Sequence, residues 1–193
     1  MKIGFFGGCF NPPTFAHINL AKKALKESNL DKVIFVPVGD FYDKKDLAPA
    51  IDRYNMLKII ADKIEKIEVS DIELCEKRKL FAIDVFRLIK EKYPNDDLFF
   101  IMGADNFIKV LQWKNSEVLS TQYKYIVFER ENINIKEYIK NKFKSNVIII
   151  ENSEYKTFSS SKYRNNKKNL DIDDLNIVPD DVLEYINKNK LYI

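Results

Sequence analysis

Short, continuous apolar runs, separated by stretches in which apolar residues recur at helical spacing, constrain this fold more than any other feature. Ile3 to Phe6, Lys32 to Val38 (KVIFVPV), Lys66 to Val69, Leu98 to Met102 (LFFIM), Tyr123 to Phe128 (YKYIVF) and Val147 to Ile150 (VIII) are such runs. A strand with one face in water alternates apolar and polar residues. A strand apolar throughout is covered on both faces, as parallel strands are when their crossover helices lie on either side. Between the runs, Ile18, Ala21 and Leu25 mark one amphipathic helix, Tyr54, Leu57, Ile60, Ala61 and Ile64 a second, and Ile83, Phe86 and Ile89 a third; a weaker one covers Ile135 to Phe143. Pro179, then Asp180 and Asp181, suit the start of a C-terminal helical segment, since proline fits the first helical position and carboxylates face the positive dipole end. The class is α/β: a doubly wound parallel sheet of strand order 3-2-1-4-5 with a sixth candidate strand at Val147 to Ile150. No internal repeat or domain boundary is visible, so one domain over residues 1–193 is expected. Asn165 to Asn169 (NNKKN) reads as a solvated loop.

Composition removes several function classes. A charge of +3, from 32 basic and 29 acidic residues interspersed along the chain, gives no footprint for bulk nucleic-acid or membrane adhesion. The opening MKIGFFGGCF breaks into glycines and prolines too early for a signal peptide, and no run approaches the ~18 apolar residues of a membrane span. Cys9 and Cys75 have no paired spacing, so neither a disulfide framework nor a zinc site follows, and reducing cytoplasm is the expected compartment.

Glycine is scarce: five, where average usage gives roughly thirteen. Gly7 and Gly8, Gly39 and Gly103 fall at the carboxyl ends of strand candidates one, two and four, the edge where doubly wound sheets bind ligands; Gly4 lies inside the first run. Each is expected to answer a backbone demand. The segment after the first run, Gly7-Gly8-Cys9-Phe10-Asn11-Pro12-Pro13-Thr14-Phe15-Ala16-His17, has neither the GxGxxG nor the GxxxxGK[ST] spacing of the commonest phosphate loops. It offers a bare-backbone turn, then Thr14 and His17 three apart entering a helix. Such residues share a face, and at a helix N-terminus that face meets free N–H groups able to hold phosphate oxygens. His17 is the only histidine. By residue type alone a lone histidine is more often structural than catalytic; its position argues otherwise.

Gly8, Phe10, Pro12, Thr14 and His17 resemble the GxFxPxHxGH or GxFxPxTxGH signature of the nucleotidyltransferase superfamily, with Ala16 in place of the usual glycine. The Thr14 form is commoner in phosphopantetheine adenylyltransferases, so the signature alone leaves the substrate open. Gly103-Ala104-Asp105 with Trp113 ten residues after the glycine resembles the GAD motif and tryptophan of nicotinate and nicotinamide mononucleotide adenylyltransferases. By chemistry, Gly103 allows close approach of a nucleoside, Asp105 can accept from a ribose hydroxyl, and Trp113 offers a face to a pyridine ring. Phe158-Ser159-Ser160-Ser161-Lys162-Tyr163-Arg164 resembles ISSTxIR, with serines at a helix start and a guanidinium suited to bidentate phosphate contacts. Weaker matches are Pro37 to Gly39 with Asp40 and Lys44 (PAGDxPHK, Asp43 replacing histidine), Arg53 with Met56 and Leu57 (RxxML), Phe81-Ala82-Ile83-Asp84 (YTIDT) and Arg130 between Glu129 and Glu131. The changes at Phe81 and Ala82 fall where the family holds the pyridine carboxylate.

The resemblance implies a Rossmann-like fold and transfer of the adenylyl group of ATP to nicotinate mononucleotide, releasing pyrophosphate. No deprotonating base is required, because a phosphate monoester is already an anion at pH 7; positioning and electrostatic stabilisation of the α-phosphorus are what the site must supply. His17 and Thr14 are assigned to the α-phosphate. Gly7, Gly8, Phe10, Gly103, Asp105, Ser159, Ser160 and Arg164 are assigned to ATP, the last two to its departing phosphates. Lys44, Phe81, Ala82, Trp113 and Arg130 are assigned to the mononucleotide. Mg2+ would ride on the ATP phosphates, without a protein metal cage. Nicotinamide mononucleotide, phosphopantetheine or cytidylyl transfer are rival chemistries, and a nucleotide-binding regulatory module is a rival class. No nucleic-acid or membrane partner is expected, and a homo-oligomer is left open.

Overall fold

The computed structural model describes residues 1–130, 133–151, 160–169 and 177–192. Six strands, β1 (Lys2–Gly8), β2 (Lys32–Pro37), β3 (Ile67–Val69), β4 (Asp97–Gly103), β5 (Lys124–Phe128) and β6 (Val147–Ile150), form one all-parallel sheet of order β3-β2-β1-β4-β5-β6. The expected order holds, and the sixth run takes its place at the edge beside β5. The helices are α1 (Phe15–Glu27), α2 (Ala50–Ala61), α3 (Ala82–Lys92), α4 (Ala104–Phe107), α5 (Ser116–Gln122), α6 (Ile135–Lys142), α7 (Ser160–Asn169) and α8 (Asp180–Lys188), with a 3-10 turn at Val110–Gln112.

Period-two alternation sorts the strand residues between two apolar layers. Ile3 and Phe5, Ile34 and Val36, and Tyr125 and Val127 pack with Ile83, Phe86 and Ile89 of α3 and Phe107 of α4. Phe6, Val33 and Phe35, with Ile126 and Phe128, pack on the opposite face with Ala21 and Ala24 of α1 and Leu57 of α2. A third cluster lies outside α1 and α2, where Val182 and Ile186 of α8 and Tyr163 of α7 meet Ile18, Met56 and Ile60. This outer layer brings the C-terminal segment over the carboxyl edge of β1, and the site depends on it.

Two readings change. Asn165–Asn169 is helical, not a loop: once Ser160 to Tyr163 has nucleated a helix and Tyr163 is buried, each further residue adds a hydrogen bond at little cost. No glycine has a positive φ, so what the glycines answer is space rather than torsion. A Cβ on Gly39 would stand 2.5 Å from the main-chain oxygen of Glu73, and one on Gly4 would meet Ile101 and Leu30 at 2.7 Å.

Candidate active site

Gly8 lies opposite Pro37 across β1–β2, Gly103 lies opposite Phe128 across β4–β5, and β1 and β4 pair in register from Lys2 and Asp97 up to Phe6 and Ile101. Gly8, Gly39 and Gly103 therefore share the carboxyl edge of adjacent strands. The order reverses between β1 and β4, the point at which such sheets take ligands.

The turn from β1 to α1 is built around residues other than glycine. Phe10 holds φ 45°, a left-handed conformation costing a bulky residue roughly 1–3 kcal/mol. Its ring is buried edge-on against His17 (centroids 5.1 Å), Phe35 (5.2 Å) and Phe6 (5.7 Å). What Phe10 offers a ligand is main chain. Thr14 is the N-cap of α1, and His17 at the third helical position stands where a capping box usually has Glu or Gln. The Thr14 N–H donates to His17 Nδ1 at 3.0 Å, and Thr14 Oγ1 lies 2.9 Å from the same nitrogen. An Nδ1 that accepts carries no proton, so the neutral ring has its hydrogen on Nε2. Burial holds the imidazole down to about 4, so it is neutral at pH 7. Thr14 itself is fully buried. Its N–H and hydroxyl are both spent on the imidazole Nδ1.

Beneath the turn lies Arg53 of α2, fully buried. Its Nε donates to Ala48 O (2.8 Å) and its Nη1 to Cys9 O (3.1 Å), while Nη2 is buried with no partner among the described residues. Glu73 is buried nearby and accepts weakly from the Gly39 N–H (3.4 Å); burial pushes its carboxyl up to about 7, against the pull of that N–H and of Arg53. Lys44 reaches across the mouth of the turn, its Nζ 3.6 Å from Cys9 Sγ. From α7, Ser160 Oγ donates to Pro12 O (2.7 Å) and Arg164 Nη1 to Asn11 O (2.6 Å). The helix expected to hold ATP phosphates is docked directly on the β1–α1 turn. Ser159 lies outside the described residues.

At the ends of β4 and β5, Asp105 and Arg130, assigned above to different substrates, stand together as an exposed ion pair, Nε to Oδ1 3.5 Å. A Cβ on Gly103 would meet that same Asp105 oxygen at 2.7 Å. Trp113 follows the 3-10 turn and is half-buried against the α3 layer. Phe81, 42% exposed, is the N-cap of α3 and precedes half-buried Ala82; its N–H donates to Asp84 Oδ2 at 3.0 Å. The ring of Phe81 has Lys114 Nζ 4.8 Å and Lys79 Nζ 5.8 Å from its centroid.

Sequence reasoning missed Asn11, Glu73, Lys79, Lys114 and Tyr192, and saw Arg53 only as part of a weak match. Asn11 is 2% exposed: its Nδ2 donates to Asp46 O, and its Oδ1 accepts from the Ala48 N–H and the Tyr192 hydroxyl. An asparagine before two prolines was the available signal, but it reads as a turn. Among the described residues no group of three or more His, Cys, Asp or Glu side chains could hold a metal, and no helix is long and apolar enough to cross a membrane.

The model of the cytidylyltransferase-like family matches residues 5–166. Relatives named probable nicotinate-nucleotide adenylyltransferase include one from Clostridium tetani, 32% identical over 99% of this chain and 98% of that protein. Another, from Fusobacterium nucleatum, is 37% identical over 88% of this chain and 89% of that protein. Among solved structures, Plasmodium falciparum nicotinic acid mononucleotide adenylyltransferase complexed with NaAD superposes with TM-score 0.85 at 26% identity, covering 99% of this chain and 97% of that one. The same enzyme complexed with APC gives TM-score 0.82 at 26% identity, over 99% and 96%. With a parallel sheet of this order, a histidine-capped turn at its switch point and these relatives across its length, the chain belongs to the nicotinate-nucleotide adenylyltransferase family of the cytidylyltransferase-like nucleotidyltransferases.

Proposed function

We propose that this chain transfers the adenylyl group of ATP to the 5′-phosphate of nicotinate mononucleotide, giving deamido-NAD and pyrophosphate. The observation that carries the chemistry is the fixed tautomer of His17: with Nδ1 accepting from the Thr14 N–H, Nε2–H is the donor left for a ligand. A neutral N–H of fixed direction suits an oxygen on the α-phosphorus, where negative charge builds as the mononucleotide phosphate attacks and the bond to the pyrophosphate oxygen breaks. Thr14 acts through the imidazole it orients. Gly7, Gly8 and the Phe10 main chain, with Gly103 and Asp105, line the ATP side, and Ser160 and Arg164 approach the turn from α7. Mg2+ enters as part of Mg·ATP; the donors around the turn are N–H groups and cations, which do not make a cation cage.

Lys44, Ala82, Trp113 and Arg130 are assigned to the mononucleotide, Arg130 from beside Asp105, its ion-pair partner. Phe81 supports an acid-bearing ring over an amide there, because Lys114 holds an ammonium group 4.8 Å from its exposed ring, while Lys79, 5.8 Å from it, shares its charge with Asp43 (3.7 Å). The test is pyrophosphate release from Mg·ATP with nicotinate mononucleotide, nicotinamide mononucleotide and phosphopantetheine supplied separately. Turnover is expected with the first, and His17→Ala is expected to lower it ~100-fold or more, the order for one transition-state donor. Release with none of the three, while ATP still binds by calorimetry, would sink the reading in favour of a non-catalytic nucleotide-binding module.

A further inference from the structure

Three segments remote in sequence converge on Asn11, which follows directly on the left-handed Phe10. The loop after β2 bonds both ends of its side-chain amide (Asp46 O 2.8 Å, Ala48 N 2.9 Å), Arg164 of α7 donates to its carbonyl, and the hydroxyl of Tyr192, 181 residues away, donates to its Oδ1 at 2.9 Å. The last contact comes from an unusual backbone. Lys190 and Tyr192 both hold positive φ, 52° and 62°, a conformation side chains of this size avoid unless the surroundings over-determine it. Here the surroundings do: the Lys190 N–H donates to Asn187 O, the Leu191 N–H to Ile186 O, and the Tyr192 ring meets Tyr163 of α7 edge-on (6.2 Å, 86°). Filling this groove needs only a ring; the hydroxyl is spent on Asn11. Burial pushes the phenol well above the ordinary tyrosine range, against Arg53 and Arg164, so it remains a donor at physiological pH.

We propose that Tyr192 is a positioning residue for the reaction: its hydroxyl locks the Asn11 side chain, and through it the Phe10–Thr14 turn that aims the imidazole of His17. The connection is short. Asn11 adjoins Phe10, whose ring braces His17, and the turn ends at Thr14, whose N–H fixes Nδ1. The inference goes beyond the proposed substrate, since any phosphate chemistry at this turn would feel it.

Tyr192→Phe tests it, because the ring and its packing stay. Expected are a kcat lower by about 10-fold with KM for Mg·ATP within about 2-fold, the signature of displaced reacting groups rather than lost binding. In an Asn11→Ala background the same change should have no further effect on kcat, as residues acting through one contact are non-additive. Amide exchange, read by mass spectrometry without substrate, should speed up in the peptide covering 8–16 and stay unchanged in α8. Unchanged exchange in 8–16, or an additive double mutant, would overturn the proposal. So would exchange rising equally in α8, which would make the hydroxyl a general stabiliser of the C-terminal docking. Because exchange needs no substrate, a wild-type chain inactive toward nicotinate mononucleotide would overturn the proposed reaction and leave this arm standing.

Discussion

His17 shows how one residue acquires a chemical character that its type does not have. An ordinary imidazole is part-charged near neutrality. This one is kept neutral by burial and by a main-chain N–H pointing at Nδ1, since protonating that nitrogen would set two donors against each other. Because the chain has a single histidine, the claim has a clean readout. The imidazole Cε1–H resonance should stay at its neutral position from pH 8 down to pH 5 and move only on approach to about 4. A midpoint at the ordinary value near 6.5 would refute the fixed-tautomer account. With ligand bound, the phosphate charge favours the protonated form, so the same resonance should titrate at higher pH in the complex than in the free protein.

At the scale of elements, the demand on Gly39 is a close approach between the end of β2 and the segment leading from β3 to α3. Its would-be Cβ meets a main-chain oxygen, which cannot swing aside, whereas that of Gly4 meets the terminal methyl carbons of Ile101 and Leu30. Gly39→Ala should therefore cost about 1–3 kcal/mol in urea unfolding, the range for overpacking, and Gly4→Ala less; the reverse ranking would contradict the geometry. The elements themselves were largely legible. The six strands announce themselves because burial on both faces removes polar residues from them, and α1, α3 and α8 because they show an apolar face at helical spacing; α2, packed between the sheet layer and α8, is apolar on two sides. α4, the 3-10 turn and α5 left no such trace: they are too short for periodicity, and α5 (SEVLSTQ) is mostly polar. In the site, the motif residues were legible because they follow one another along the chain. Arg53 on Cys9, Tyr192 on Asn11 and Lys114 on Phe81 were not, because each pairing exists only after the sheet and the outer helical layer have formed.

For the whole molecule, the site's electrostatics and the fold's stability are linked through two desolvated groups of opposite sense, half-buried His17 and buried Glu73. His17 is displaced down to about 4, so between there and its unfolded value near 6.5 the unfolded chain binds the extra proton, and stability from this group rises with pH. Glu73 is displaced up to about 7 from 4.5; across that window the folded chain holds the extra proton, and stability from this group falls as pH rises. From pH 4.5 to 6.5 the two slopes oppose each other, and the protein should be less pH-sensitive than either group alone would make it. Removing one group exposes the other. Urea unfolding of His17→Gln, relative to wild type, should lose stability as pH rises from 4.5 to 6.5, and that of Glu73→Gln should gain it, each difference changing by about 2 kcal/mol over the window. Curves that stay parallel to wild type would mean that neither group titrates differently in the folded chain.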